Sequence, residues 1–192
     1  MHQDPPKKRG HRNLTQPRDD TDKTTDRTFR VLYVCSGNTC RSPMAEGILR
    51  KLAAEAAMPG LKLEVASAGT LEIAGAPATD LATAVAADYG IDLTAHRSQA
   101  LTPKLLAASD LVFALAAEHY DACRRMGRSE ETLFMARSYP DHSSDRVTDS
   151  IPDPISGGRS RYEEAFFQID EAIRRGFSRI QAAAAGETKD TE

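Results

Sequence analysis

Apolar residues fall along this chain in two patterns, short unbroken blocks and longer stretches that repeat every three or four positions, and the two alternate. Val31-Leu32-Tyr33-Val34 is a block of the kind that a strand buried on both faces requires. Helix formers follow from Ser42 to Ala57 and are closed by Met58-Pro59-Gly60. Leu61 to Ala66 alternates apolar with polar residues, as a second strand would. Ala78 to Tyr89 reads as a helix closed by Gly90, and Pro103 to Ala108 as a short one. Asp110 to Leu115 is the third strand, Ala117 to Met126 the next helix and Thr132 to Met135 the fourth strand. Phe166, Ile169, Ile173, Phe177 and Ile180 then draw one apolar stripe along a final helix, and the pattern is lost from Ala182 to Glu192, which is expected to fray.

Strands separated by helices imply right-handed crossovers. The fold class expected is α/β: a small four-stranded parallel sheet with helices on both faces. Its ligand site should lie at the C-terminal edge of the first strand, where open parallel sheets bind ligands. The chain has 192 residues, enough for one domain once its ends are set aside. Residues 1–28 are rich in Pro, Lys, Arg and Asp, with Met1 and Leu14 the sizeable apolar residues, and are expected to be a disordered tail. The domain is placed at 29–185, and 186–192 form a second loose end.

Charge and cysteine usage narrow the classes further. A formal charge of −3 with mixed signs gives no reason to expect nucleic-acid binding. Lys7-Lys8-Arg9 with His11-Arg12 reads as a solvated basic cluster. No apolar run suits a signal-peptide core or a membrane span, so a soluble, cytoplasmic protein is expected. The three cysteines, two of them close together, form neither a secreted disulfide framework nor a zinc set. No metal and no cofactor is expected, and the sequence leaves the oligomeric state open.

The candidate chemistry lies directly after the first strand, in Cys35-Ser36-Gly37-Asn38-Thr39-Cys40-Arg41-Ser42-Pro43. A strand that turns through a small loop into a helix aims successive backbone N–H groups, and the helix's positive end, at one point. Gly37 and Asn38 permit the turn, since Asn tolerates a left-handed backbone. Arg41 adds a planar fork suited to phosphate oxygens, and a cation on the first helical turn is itself a reason to expect an anion there. Ser42 reads as the helix cap. Cys35 at the start of this phosphate-binding loop is the candidate nucleophile, and the chemistry implied is phosphoryl transfer through cysteine. Oxidation that joined Cys35 to Cys40 would shield the nucleophile from over-oxidation. Far downstream, Asp153 between Pro152 and Pro154 suits either a fixed loop acid or an ordinary turn.

The loop resembles the low-molecular-weight protein-tyrosine phosphatase family, whose Cys-x-Gly-Asn-x-Cys-Arg-Ser-Pro signature Cys35 to Pro43 matches at every fixed position. Met44-Ala45-Glu46, Ser67-Ala68-Gly69-Thr70, His96-Arg97-Ser98 and Asp153-Pro154 are similar to further family segments, in order, from about Phe29 to Ala185. The resemblance implies a phosphorylated protein substrate, Cys35 as nucleophile, Arg41 on the transferring group and Asp153 as general acid. Asp141, Asp145 and Asp149 compete for that last role but lack the following proline. It also implies that Ser42 donates to the sulfur, that Ser67 and His96 lock Asn38, and that Ser36, Gly37, Thr39 and Cys40 complete the phosphate cradle.

Within the family, members resembling bacterial protein-arginine phosphatases carry threonine where Thr39 lies. Ile155 supplies no aromatic wall after the Asp-Pro pair. Together these favour phosphoarginine slightly over phosphotyrosine. Two other classes are weighed against the phosphatase. A thioredoxin-coupled arsenate reductase would need a relay cysteine near Ala116 to work with Cys123. A non-catalytic phosphoprotein-binding module would need neither Cys35 nor Asp153.

Overall fold

The computed structural model describes residues 28–56 and 61–187. The expected helix stop at Met58-Pro59-Gly60 and the basic cluster near the N-terminus lie outside the described residues. So do the expected tails, apart from Thr28 at one end and Gly186-Glu187 at the other.

Strands β1 (Thr28–Cys35), β2 (Lys62–Gly69), β3 (Leu111–Ala114) and β4 (Leu133–Met135) form one parallel sheet in the order β2-β1-β3-β4. The chain adds β2 on one side of β1 and then crosses to add β3 on the other. The end of β1 is therefore the point at which the winding reverses, a place where neighbouring crossovers diverge and leave a crevice. Cys35 pairs with Gly69 and Val34 with Ala114, so the ends of β1, β2 and β3 are level there.

Alternate residues of β1 serve opposite layers. Phe29, Val31, Tyr33 and Cys35 join the core under α1 (Arg41–Glu55), α2 (Asp80–Asp88) and α5 (Arg159–Ala185). Leu32 and Val34 pack with Leu106 of α3 (Pro103–Ala107) and with Tyr120 and Cys123 of α4 (Ala117–Arg125). Burial on both faces is the reason β1 reads as an unbroken apolar block.

Three expectations are corrected. β2 runs on to Gly69 instead of ending near Ala66, because the ladder to β1 carries small residues that have little strand propensity of their own. Thr132 closes a 3₁₀ turn, Glu130–Thr132, and β4 starts at Leu133. The last helix does not fray at Ala182. It continues to Ala185 and ends on Gly186 in a left-handed conformation, φ 77°, with Ala184 buried. Alanine is too small to show in an apolar stripe, yet it is the best helix former and packs closely. Of the expected stripe, Phe166, Ile169, Ile173 and Ile180 are buried, and Phe177 is half-buried.

Candidate active site

The loop between β1 and α1 is organised by Asn38, which takes φ 53° and is, among the described residues, the non-glycine residue with positive φ. Its N–H points at Cys35 Sγ, 3.3 Å away. Its carbonyl accepts from His96 Nε2 at 2.7 Å, which places a proton on that nitrogen because a carbonyl only accepts. The N–H of Gln99 donates to Asn38 Oδ1 at 2.9 Å, and this fixes which end of the amide is nitrogen. Asn38 Nδ2 then donates to Ser67 Oγ at 2.8 Å and to Ser42 Oγ at 2.9 Å. The Ser67 hydroxyl passes its own hydrogen to Glu46 Oε2 at 2.5 Å.

A direction follows for the last link. Ser42 Oγ accepts from Asn38, and toward a Cys35 thiolate, which cannot donate, the Ser42 hydroxyl is the donor across the 2.9 Å to Sγ. Two donors, the Ser42 hydroxyl and the Asn38 amide, thus converge on one buried sulfur and can solvate negative charge there without water. The expected cap role of Ser42 is corrected. The helix starts one residue earlier, at Arg41, with Cys40 in the cap position and no side-chain cap, so Ser42 is inside the first turn and faces the sulfur.

Arg41 is 3% exposed and is held at both ends of its fork. Nη1 donates to the Ile151 carbonyl at 2.9 Å, and Nη2 to Asp153 Oδ2 at 2.6 Å and Ser36 Oγ at 3.3 Å. Asp153 reaches the loop because the segment before it is tied to the sheet: the N–H of Ile151 donates to Leu115 O at 2.8 Å, and that of Leu115 to Val34 O at 3.1 Å. The competing aspartates do not meet Arg41. Asp145 accepts from Val147 and Thr148, Asp149 from Ser143, and Asp141 is exposed. Asp153 keeps its carboxylate partly open to solvent, and its other oxygen accepts from the N–H of Ile155 at 3.1 Å.

Gly37 and Thr39 form the half-buried lip of the loop. The Thr39 carbonyl accepts from the N–H of Thr79 at 2.9 Å, joining the loop to the cap of α2. Cys40 Sγ faces Thr79 Oγ1 and Tyr162 OH, each at 3.5 Å, so the two loop sulfurs have separate partners. Burial pushes the Tyr162 hydroxyl up to about 12. Leu71 and Ile155 are exposed at the rim, the N–H of Leu71 donating to Ser36 O at 2.9 Å. Cys123 is fully buried in the opposite layer, where desolvation pushes its thiol up to about 12, and Ala116 stands just before α4. A thiol in that state is a poor redox relay.

All the residues expected at the site therefore gather around the β1–α1 turn. Sequence reasoning missed three supports. Gln99 acts through its backbone N–H, which no side-chain pattern announces. Glu46 is one of two acidic residues on α1, and nothing local sets it apart from Glu55. His119 is a lone histidine on α4, buried against Ser36 at 2.9 Å, and its signal is visible only when the two elements are in contact.

The comparisons with known proteins agree with this geometry. Residues 30–185 match the model of the family described as low molecular weight phosphotyrosine protein phosphatase. The chain is 37% identical over 149 residues to a Streptomyces coelicolor protein named low molecular weight protein-tyrosine-phosphatase, covering 76% of this chain and 89% of that one. It is 32% identical over 146 residues to the protein-arginine-phosphatase of Bacillus subtilis, covering 76% and 92%. Among solved structures, it is similar to a mutant of the YwlE arginine phosphatase with a phosphorylated active-site serine. There the TM-score is 0.66 at 28% identity, covering 84% of this chain and 97% of that one.

Gly69 tests how tightly the loop is built. A Cβ at this position would lie 2.6 Å from Ser36 O and 3.0 Å from both Asn38 N and Gly37 C, all backbone atoms that cannot swing aside. Gly69→Ala is expected to displace the loop and lower kcat/KM for para-nitrophenyl phosphate by roughly 10²-fold while the far-ultraviolet circular dichroism is kept, as measured by steady-state kinetics on the folded variant.

Proposed function

The chain belongs to the low molecular weight phosphotyrosine protein phosphatase family and is a cysteine-dependent protein phosphatase, and from that premise we propose that it works through a phosphocysteine at Cys35 and favours phosphoarginine slightly over phosphotyrosine. The observation that carries the mechanism is the Arg41 fork, which joins Ser36 of the loop to Asp153 from the other end of the domain, beside a sulfur that receives two donors.

In the first step the sulfur of Cys35 attacks phosphorus in line with the leaving group. The S–P bond forms as the P–N or P–O bond breaks, and Asp153 gives its proton to the departing nitrogen or oxygen. Arg41 and the loop amides hold the equatorial oxygens, most strongly where charge builds in the transition state. In the second step Asp153, now a carboxylate, takes a proton from water as that water attacks phosphorus. The S–P bond breaks, phosphate leaves and the sulfur returns to the donors on Ser42 and Asn38. Ser67, His96, Gln99 and Glu46 act through Asn38 and do not touch the substrate.

Substrate preference rests on the wall beside phosphorus. Thr39 offers a short side chain with a hydroxyl, and Ile155, exposed next to Asp153, has no ring to stack on a phenol. Relatives named for tyrosine and for arginine are 37% and 32% identical to the chain, so the choice of phosphoarginine rests on Thr39 and Ile155 and not on overall similarity. The domain proper is proposed to suffice for turnover.

The acid is tested by leaving-group dependence. Asp153→Asn should slow aryl phosphates with poor leaving groups by roughly 10²–10⁴ and good ones much less. A uniform loss across leaving groups would assign Asp153 the structural role of holding Arg41. Specificity is tested with Thr39→Ile, measuring kcat/KM for phosphoarginine and phosphotyrosine peptides in both proteins. The ratio should move toward phosphotyrosine by roughly 10- to 200-fold, the scale of discrimination by a methylene-sized change. An unchanged ratio would remove Thr39 as the determinant.

A further inference from the structure

Among the described residues His119 is the one fully buried histidine, and the proposed mechanism does not use it. Its Nε2 lies 2.9 Å from Ser36 Oγ, and the same hydroxyl accepts from Arg41 Nη2 at 3.3 Å. Its Nδ1 is buried and finds no hydrogen-bond partner among the described residues. A core histidine kept for stability is expected to have both nitrogens satisfied, since a buried polar atom without a partner gives up its hydration for nothing in return. Here that cost is borne next to the guanidinium on which the proposed reaction turns.

We propose that His119 is a positioning residue: it fixes the Ser36 hydroxyl, and through it the Arg41 fork, in the orientation that grips the transferring phosphoryl group. This rests on the reading of Cys35 and Arg41 given above.

The surroundings of the ring favour an uncharged imidazole. Burial and the neighbouring Arg41 hold its pKa down to about 3, against the weaker opposing pull of Asp153. The Glu118 carboxylate, 3.6 Å from Nε2, is mostly exposed and beyond hydrogen-bond distance. A neutral ring can accept the Ser36 hydrogen or donate to its oxygen. Either bond removes the rotational freedom of Ser36, and Arg41, which only donates, is then offered one fixed acceptor. Ile151 O fixes the other end of the fork and Asp153 shares Nη2 at 2.6 Å from its own loop, so Ser36 is the anchor of the guanidinium plane on the side of the β1–α1 turn. An imidazolium would instead set a second cation against Arg41.

The test is a double-mutant cycle on kcat/KM for para-nitrophenyl phosphate and on the dissociation constant of inorganic phosphate, using wild type, Ser36→Ala, His119→Leu, the double variant and His119→Gln. His119→Leu removes the hydrogen bond together with the unpartnered nitrogen. It should melt at or above the wild-type temperature, while kcat/KM falls roughly 10- to 100-fold, mainly in kcat. In the Ser36→Ala background the same change should cost less than about threefold, because the intermediary is already gone. His119→Gln, whose amide reaches the Nε2 position, should recover most of the loss. An equal cost in both backgrounds overturns the proposal. So does a loss of activity that only follows a loss of folded protein, or a His119→Gln variant no better than His119→Leu. Cys35→Ala separates the two claims. If that variant still turns over substrate, the reading of Cys35 fails, whereas the cycle on phosphate affinity still reports the coupling of His119 to Ser36.

Discussion

Asn38 holds a left-handed backbone at the tightest point of the chain, and every polar atom it owns is engaged. The conformation costs a non-glycine residue roughly 1–2 kcal/mol. Its five hydrogen bonds, with Cys35, Ser42, Ser67, His96 and Gln99, at about 0.5–1.5 kcal/mol each, together exceed that cost. Glycine would turn as easily and anchor nothing. The residue that lets the loop turn is thus also the one that orders its neighbours. Its side-chain amide holds the Ser42 oxygen beside the sulfur, and its backbone amide meets the same sulfur.

The sheet supplies what Asn38 needs. Level ends on β1 and β2 put Gly69 against the loop, close enough that only hydrogen fits on its Cα. The strand then hands its last N–H to Gln99 O, and Gln99 returns an N–H to Asn38. On the other side of β1, β3 leads through Leu115 to Ile151, which brings Asp153 to Arg41 across a separation of 112 residues. One reversal of winding therefore brings together the β1–α1 loop from one crossover and the Asp153 carboxyl from another. The Arg41–Asp153 contact is buried on the arginine side and partly open on the aspartate side, the asymmetry that the proposed acid role requires.

Much of this was legible in the sequence, for local reasons. The loop signature is contiguous, so Cys35, Arg41 and Asn38 could be singled out with their chemistry, and the alternation of apolar block and apolar stripe fixed the α/β class. Asp153 was separable from its neighbours only through the resemblance, because Asp141, Asp145 and Asp149 share its loop and its chemistry. Other features depend on register between distant segments. The orientation of the Asn38 amide follows from an N–H on Gln99, and His119 reaches Ser36 only because α4 packs against the β1–α1 turn. The last turns of α5 were missed for a different reason: alanines carry helical propensity and pack well, yet draw no stripe.

Turnover by the proposed route requires a covalent phosphoenzyme at Cys35. Its most direct measurement is rapid denaturing quench of the protein during turnover of an aryl phosphate labelled in the phosphoryl group, followed by mapping of the labelled peptide, with Cys35→Ala as the control. Label retained at near-stoichiometric level on the peptide containing Cys35, and lost in the control, is the result expected. Undiminished turnover with no label on that peptide, or with label on another residue, would contradict it.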